Sequence, residues 1–277
     1  MPIGAHVSAA GGADKAPARA HNEGLETFQF FSRSPRGGKA PTLTPEIIKN
    51  FNAECKKYGI KNTYIHAPYY IGFASLNNRI RYGSISVIRE ELERASSLGV
   101  RAVMTHLGSG TGMTRTEAVK RTIEGINKAL DGYTGSATFL VEDAAGAGQI
   151  IGADFKEVGQ ILRGIKHKNV GFCLDTQHSF AYGYDWRTPA TAEKALKELD
   201  KEIGLKRLIV IQANDSKVEF NGKRDRHEHI NRGHIGEAAF DWIMHHPKLK
   251  HLDLILETED EGRPADIKIL YKLRDKK

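Results

Sequence analysis

Residues 208–236 read LIVIQANDSKVEFNGKRDRHEHINRGHIG, and their character changes sharply after the first four positions. Residues 208–211 are apolar side chains of the kind that favour strands. The rest of the stretch is rich in amide, acidic and imidazole groups, and Asp225 and His227 stand two residues apart, on one side of an extended segment. The stretch therefore predicts a buried strand that leads into a polar loop with metal-binding chemistry.

Seven other short runs have the character of residues 208–212, and they occupy 3–7, 27–31, 63–66, 102–106, 138–142, 170–175 and 252–257. Most of these runs are apolar throughout, which is typical of strands covered on both faces, as in parallel sheets. Helix-type segments alternate with the runs, for example at 45–58, 79–98, 116–130, 155–165, 190–203, 237–246 and 264–272. This alternation predicts the α/β class, as a single (β/α)8 TIM barrel with one domain over residues 1–277.

The predicted helices carry recognisable end signals. Thr44 and Asp154 precede two of them and are suitable N-caps. Gly59, Gly99 and Gly204 follow three of them, as expected where a helix ends in a left-handed residue.

Six polar residues each stand at the last position of a different predicted strand: His66, His106, Glu142, Asp175, Gln212 and Glu257. Because the C-terminal ends of barrel strands meet at one rim, we expect these side chains to converge there. Any one of them alone fits a polar strand end, but six together favour a metal cluster. Imidazole and carboxylate groups suit zinc and related ions, and a carboxylate can bridge two of them. His178, Asp225 and His227 could complete a further site.

A basic loop and an aromatic segment follow the second and third predicted strands, and their side chains are Arg33, Arg36, Lys39, Tyr69, Tyr70 and Phe73. Cations can lie along a phosphate backbone, and aromatic rings can stack on bases. An ordinary solvated loop with packed aromatic residues is the alternative. His6 and His234 also lie near the predicted rim, where they could orient metal ligands.

The composition indicates the class of partner. The chain has 41 Lys and Arg residues against 34 Asp and Glu residues, a net charge of +7, which favours a polyanionic partner. Cys55 and Cys173 are too few for a disulfide framework, and the first residues lack a signal-peptide pattern. No apolar run is long enough to span a membrane. We therefore expect a reducing, cytoplasmic location with no membrane association.

Seven short motifs occur in order along almost the whole chain: GAHVSAAGG at 4–12, HAPY at 66–69, HLGS at 106–109, DTQH at 175–178, NDSK at 214–217, DRH at 225–227 and GHIG at 233–236. Together they resemble the endonuclease IV family of apurinic/apyrimidinic endonucleases. The resemblance implies a zinc-dependent phosphodiesterase that cuts double-stranded DNA 5′ to an abasic site, leaves a 3′ hydroxyl and trims blocked 3′ ends.

The resemblance also implies roles for individual residues. One of three zinc ions would be held by His66, His106 and Glu142. Glu142 would bridge to a second ion held by Asp175, Gln212 and Glu257, so that Glu142, Asp175 and Glu257 are the expected catalytic carboxylates. The third ion would be held by His178, Asp225 and His227. Arg36, Gly37 and Tyr69 match positions that contact DNA in the family.

The chain departs from the family pattern at three of these positions. Gln212 stands where the family has histidine, and its amide oxygen is a weaker and harder ligand, so the second site is expected to be loose or to take manganese or magnesium. Gly37 replaces a glutamine, and Asp143 replaces an asparagine.

Two alternative functions stay open from the sequence. One is a TIM-barrel sugar isomerase or epimerase with one or two divalent ions, an interpretation that Gln212 supports. The other is a homologue that binds damaged DNA without cutting it. In each case a monomer is the simplest expectation.

Overall fold

The computed structural model describes residues 1–276, whose eight longest strands form a closed, wholly parallel barrel. The barrel strands are β1 (Ile3–His6), β2 (Thr27–Phe30), β3 (Thr63–His66), β4 (Ala102–Thr105), β5 (Thr138–Glu142), β6 (Val170–Asp175), β7 (Leu208–Gln212) and β10 (Asp253–Leu256). Around the barrel β1 is followed by β2 on one side and by β10 on the other, which closes the sheet. The predicted TIM barrel is confirmed.

Nine α-helices lie outside the barrel or at its rim within residues 1–276: α1 (Ala16–Asn22), α2 (Pro45–Lys57), α3 (Asn78–Leu98), α4 (Arg115–Leu130), α5 (Phe155–Gly164), α6 (Thr176–Tyr182), α7 (Pro189–Glu202), α8 (Glu237–His245) and α9 (Arg263–Arg274). Short 3-10 turns occur at Ala13–Lys15 and Leu205–Arg207. The N-cap predictions are confirmed, since Thr44 accepts a hydrogen bond from the Ile47 amide and Asp154 accepts one from the Lys156 amide.

The predicted helix ends are also confirmed, because Gly59, Gly99 and Gly204 all have positive φ angles. Helices α1 and α6 were not predicted. Each has only seven residues, too short for a clear amphipathic period. None of the helices in the described part of the chain has the length and apolar character needed to cross a membrane.

Two apolar cores stabilise this arrangement. The outer one lies between the strands and the helices, and the inner one fills the barrel with side chains that include Tyr64, Met104, Cys173 and Ile255. Because the barrel is filled, it is not a channel, and polar side chains are placed at its C-terminal rim. The assignment of all 277 residues to one domain stays a prediction, and Lys277 lies outside the described residues.

Two further short strands form a hairpin above the rim. β8 (Asp215–Ser216) follows β7 closely and pairs in antiparallel register with β9 (His227–Glu228). Their pairing places Ser216 opposite His227, so the long loop after β7 is folded back over the barrel mouth.

Candidate metal centre

Glu142 lies at the centre of the rim and is completely buried. Its Oε2 lies 2.9 Å from Nε2 of His66, and its Oε1 lies 3.3 Å from Nε2 of His106 and 3.6 Å from Nδ1 of His178. The carboxylate is therefore surrounded by three imidazoles from three different elements.

The rim residues form overlapping groups whose potential ligand atoms lie within 4.8 Å of one another: His66 with His106 and Glu142, His106 with His178 and Asp225, Asp175 with His178 and His227, and Glu142 with Asp175 and Glu257. His66, Glu142 and Asp175 end their strands as predicted, whereas His106 and Glu257 come directly after theirs. This small shift in strand ends does not alter the convergence.

Asp175 connects strand β6 to helix α6. As the N-cap of the helix, its Oδ1 accepts hydrogen bonds from the backbone amides of Gln177, at 2.7 Å, and His178, at 3.0 Å. Its Oδ2 accepts one from Nδ2 of Asn214, at 2.7 Å. The cap fixes the start of α6, and with it the position of the His178 ring beneath the mouth.

Asp215 holds the loop that carries Asp225 and His227. Its buried carboxylate accepts hydrogen bonds from the backbone amides of Ser216, Asn231, Gly233, Ile235 and Gly236. Such a network of backbone donors neutralises the buried charge without a cation. It closes the end of the loop against β8.

The loop brings a further pair of donors to the rim. Oδ1 of Asp225 lies 3.3 Å from Nε2 of His178 and 3.5 Å from Nε2 of His227. His227 Nε2 is also 3.5 Å from Oδ2 of Asp175. The structure thus brings together the three residues predicted to form a further site. His229, two residues on, instead pairs with Asp266 at 2.7 Å.

Several buried nitrogen and oxygen atoms of the centre make no hydrogen bond of acceptable geometry with the described residues. They are both carboxylate oxygens of Glu142, both ring nitrogens of His178 and Nε2 of His227. Buried polar atoms are nearly always paired, so a concentration of such atoms at one point calls for a ligand. Imidazole nitrogens and carboxylate oxygens are the donor set of zinc and similar ions, and the residues present fit a metal cluster.

The charges of the centre alter the protonation of its imidazoles. Burial alone would lower the pKa of His66, but the negative charge of Glu142 raises it to about 9. Burial also opposes charging of His178, yet the charge of Asp175 and contact with Asp225 raise its pKa well above the usual value. Burial would raise the pKa of Glu142, but the positive charges of His106 and His66 lower it. At His106 burial outweighs the nearby carboxylates and lowers the pKa, so the imidazoles of the centre differ in how readily they lose the proton that a metal ion would displace.

The comparisons with known proteins agree with this geometry. Residues 17–273 match the family described as "Xylose isomerase-like TIM barrel". A "Probable endonuclease 4" from Methanoculleus marisnigri is 38% identical over 275 residues, covering 99% of this chain and 98% of that protein. Another from Nitrosopumilus maritimus is 35% identical over 279 residues, with 99% of both covered. The solved endonuclease IV from Thermus thermophilus has a TM-score of 0.89 and 32% identity, with 99% of this chain and 98% of that chain covered. The chain belongs to the endonuclease IV family.

A solved barrel of lower identity shares the fold with this endonuclease IV family member. A D-tagatose 3-epimerase-like protein has a TM-score of 0.73 at 19% identity, with 99% of this chain and 97% of that chain covered. At that identity the similarity extends to the architecture alone, because one barrel fold supports many chemistries.

Gln212, where the family resemblance led us to expect a histidine, has its side chain inside the barrel. Its Oε1 lies 3.4 Å from the Cys173 thiol, and its Nε2 lies 3.3 Å from Oε1 of Gln29 and 3.5 Å from the Met104 sulfur. Both ends of the amide are thus engaged by the barrel interior. Metal ligation by Gln212 stays a prediction.

Asp143, where the resemblance led us to expect an asparagine, is also completely buried. Its Oδ1 accepts a hydrogen bond from the Asp175 amide at 2.6 Å, while its Oδ2 has no partner among residues 1–276. Burial raises its pKa well above the usual range, and the charge of Asp175 adds to the effect. The carboxyl of Asp143 therefore resists ionisation in its buried position.

The residues predicted to contact DNA lie around the mouth of the centre. Tyr69 is 66% exposed, lines a cavity of about 390 Å³ over the cluster, and packs edge-on against Phe31 with ring centroids 5.3 Å apart. Its backbone amide donates a hydrogen bond to Pro35 O at 3.2 Å. This contact joins it to the loop that carries the exposed Arg36 and the half-buried Gly37, whose φ is +123°.

Two members of the predicted basic and aromatic surface face inward, and for these the prediction was wrong. Arg33 is 6% exposed and is paired with Glu90 and Glu91 of α3, so it is not available to a phosphate. Phe73 is completely buried against Gly125 of α4. Arg36, Lys39, Tyr69 and Tyr70 stay exposed at the surface.

The cavity over the centre also has walls that the sequence analysis did not identify: Phe31, Arg226, Thr258, Asp260 and Arg263. Phe31 and Thr258 come just after barrel strands β2 and β10, so the strand-end rule could have found them. Of the two histidines considered near the rim, His6 lines the cavity and contacts Gln29, whereas His234 is exposed and outside the lining.

Proposed function

We propose that this chain is a metal-dependent DNA repair endonuclease that hydrolyses the phosphodiester bond 5′ to an abasic site, leaves a 3′ hydroxyl and trims blocked 3′ ends. Membership of the endonuclease IV family supports this assignment. The observation that carries it is the buried carboxylate of Glu142, on which the imidazoles of His66, His106 and His178 converge at 2.9, 3.3 and 3.6 Å.

The proposed cofactor is zinc, at three sites. His66, His106 and Glu142 would hold the first ion; Glu142, Asp175 and Glu257, with Gln212, the second; and His178, Asp225 and His227 the third. When bound, such ions polarise phosphate oxygens and acidify a water molecule that can attack phosphorus. Glu142, Asp175 and Glu257 are the carboxylates proposed to act there. We expect the second site to be weaker than the others, or to take manganese or magnesium, because of Gln212.

Recognition of the lesion is assigned to the exposed residues beside the mouth. Arg36 would enter the DNA at the abasic site, and Tyr69 would contact the extrahelical sugar, because both are exposed and their loops are joined by the bond from Tyr69 N to Pro35 O. An enzyme that acts on a nucleotide inside a duplex must first extrude it, and a missing base lowers the energy required. Gly37 offers little surface for supporting the opened duplex.

The partner is therefore double-stranded DNA with abasic sites or blocked 3′ ends, in agreement with the net charge of +7. We also propose a monomer in the reducing cytoplasm, where Cys55 and Cys173 stay as free thiols.

The test uses a duplex with one synthetic abasic site, incubated with the protein in the presence and absence of EDTA. We expect incision on the 5′ side that EDTA abolishes and added zinc restores, with no cleavage of the same duplex carrying an intact base. Binding without incision would identify a non-cutting homologue and contradict the proposal. Epimerisation of a ketose by a protein that leaves the duplex intact would identify a sugar epimerase instead.

A further inference from the structure

We propose that Arg94 is a positioning residue that sets the affinity for DNA by holding the neck of the loop at residues 33–41. Arg94 lies on α3, is 8% exposed and touches neither the metal centre nor the exposed tip of the loop. Its Nη2 donates a hydrogen bond to Ser32 O at 2.9 Å, and its Nη1 donates one to Pro41 O at 2.7 Å. One guanidinium thus ties the two ends of the loop together.

A second layer of contacts fixes this guanidinium. Nε of Arg94 donates to Oγ of Ser32 at 2.8 Å, and that hydroxyl donates to Oε2 of Glu91 at 2.6 Å. The other oxygen of Glu91 accepts from Nε of Arg33, and Glu91 is completely buried. Hydrogen-bonded charges in a buried site require a narrow geometry, because any departure leaves a charge unpaired.

The loop between the two ends turns through two adjacent glycines that follow Pro35 and Arg36. Gly37 and Gly38 have φ angles of +123° and +100°, and residues with this freedom lose the most conformational entropy when they become ordered. If the tip of this loop became ordered only when DNA binds, the entropy lost in ordering it would lower the affinity for DNA. With the neck tied, Pro35 O accepts from the Tyr69 amide at 3.2 Å, so Arg36 is held beside the ring that lines the cavity over the metal centre.

This inference rests on the proposed function, in which Arg36 enters the duplex. Arg94 acts on that step only through the loop, so its loss should raise KM and leave kcat at saturating DNA almost unchanged. The effect should also depend on the DNA. A continuous duplex resists bending, whereas a nick next to a blocked 3′ end lowers that resistance, so the nicked substrate should depend less on the loop.

The variant is Arg94→Lys, because a single ammonium keeps the charge but cannot reach both carbonyls as a planar fork does. Arg89→Lys is the matched control on the same helix. Nη1 of Arg89 donates to Ala129 O at 3.1 Å and Asp131 O at 2.6 Å, so the control breaks a similar double contact far from the loop. Steady-state incision of abasic and nicked duplexes is measured together with metal content and amide hydrogen exchange.

We expect Arg94→Lys to raise KM for the abasic duplex about 10-fold, which corresponds to the free energy of one or two lost hydrogen bonds. The rise in KM should be smaller on the nicked duplex. Amide exchange at residues 34–40 should accelerate, while kcat and metal content keep their wild-type values. Arg89→Lys should leave KM and the exchange of this loop unchanged. Should Arg94→Lys fail to fold, Ser32→Ala removes only the hydroxyl of the second layer and is expected to raise KM about 3-fold.

The role of Arg94 would be overturned by equal KM values in the two arginine variants. A fall in kcat with KM unchanged, or unchanged amide exchange at residues 34–40 in Arg94→Lys, would also overturn it. These outcomes differ from failure of the proposed function, in which the wild-type protein itself leaves the abasic duplex intact.

Discussion

The side-chain amide of Gln212 donates a hydrogen bond to that of Gln29 inside the barrel, with Nε2 of Gln212 lying 3.3 Å from Oε1 of Gln29. Nε2 of Gln29 in turn donates to Oε1 of Glu257. Gln212 is therefore connected to a carboxylate of the candidate metal centre through one intervening side chain, while its own oxygen lies beside the Cys173 thiol.

We predict that Gln212→His raises zinc retention. Imidazole is a better zinc ligand than an amide oxygen, and the new ring would stand beside Asp175, its neighbour in the sheet. Wild-type and variant proteins are dialysed against graded chelator concentrations, and metal content is measured by mass spectrometry. Gln160→His is the control, because it adds an imidazole on the exposed face of α5. Three tightly held zinc ions in the wild-type protein would contradict a weakened second site, and so would identical retention in Gln212→His.

Glu142→Gln is predicted to reduce incision by more than about 100-fold, since the loss of groups that merely support metal ligands already costs 10- to 100-fold. The amide keeps the size of the side chain but would be a much weaker ligand than the carboxylate for the metal ions that Glu142 is proposed to hold. Metal content and incision of the abasic duplex are measured together, and both should fall.

Asp253→Asn is the matched control for Glu142→Gln. Asp253 is also a buried acid, but it lies at the opposite end of the barrel, where it accepts hydrogen bonds from Tyr64 and Asn62. Its loss should lower the melting temperature and leave the metal content intact. Normal metal content in Glu142→Gln would show that this carboxylate is not a ligand.

The barrel and most of the centre could be predicted because each depends on local pattern. Apolar runs mark buried strands, and a polar residue at the end of a run reaches the rim whatever its neighbours are. Arg33 could not be placed in this way, because its partner Glu91 is 58 residues away and only the fold brings it near. The prediction that Phe73 lies at the surface was wrong for the same reason, since the helix that covers it comes much later in the chain. The sequence likewise does not reveal that the amide of Gln212 meets Gln29 and Cys173.

The stability of the metal-free protein should fall as pH rises from about 6.5 to about 9. The pKa of His66 is raised from 6.5 to about 9, so the folded state binds more protons than the unfolded state within this window. The contribution of the protonated His66 to the free energy of unfolding is complete below pH about 6.5, and it is lost as the proton leaves His66 at higher pH. The zinc-loaded protein should not show this fall, because bound metal requires a neutral imidazole throughout.

Thermal unfolding of both forms across this pH range tests the expectation. In the metal-free form, His66→Gln should reduce the dependence but leave the contribution of His178, whose pKa is also raised, whereas His245→Gln, on the exposed end of α8, should leave the dependence unchanged. Identical slopes for metal-free wild type and His66→Gln would contradict the assigned protonation.

Binding of abasic DNA should weaken steeply with salt, because each phosphate neutralised by the protein releases counterions and adds about 0.9 to the slope of log affinity against log salt. If Arg36 contacts a phosphate as it enters the duplex, Arg36→Ala should weaken binding and lower that slope by about one such increment. Fluorescence anisotropy with a labelled duplex across a salt series measures both quantities.

Lys201→Ala is the control, since Lys201 is exposed at the C-terminal end of α7, away from the rim. The two variants remove equal charge, so a slope that falls equally in both would mean that only net charge attracts the DNA. A fall confined to Arg36→Ala would instead locate the contact at the tip of the loop.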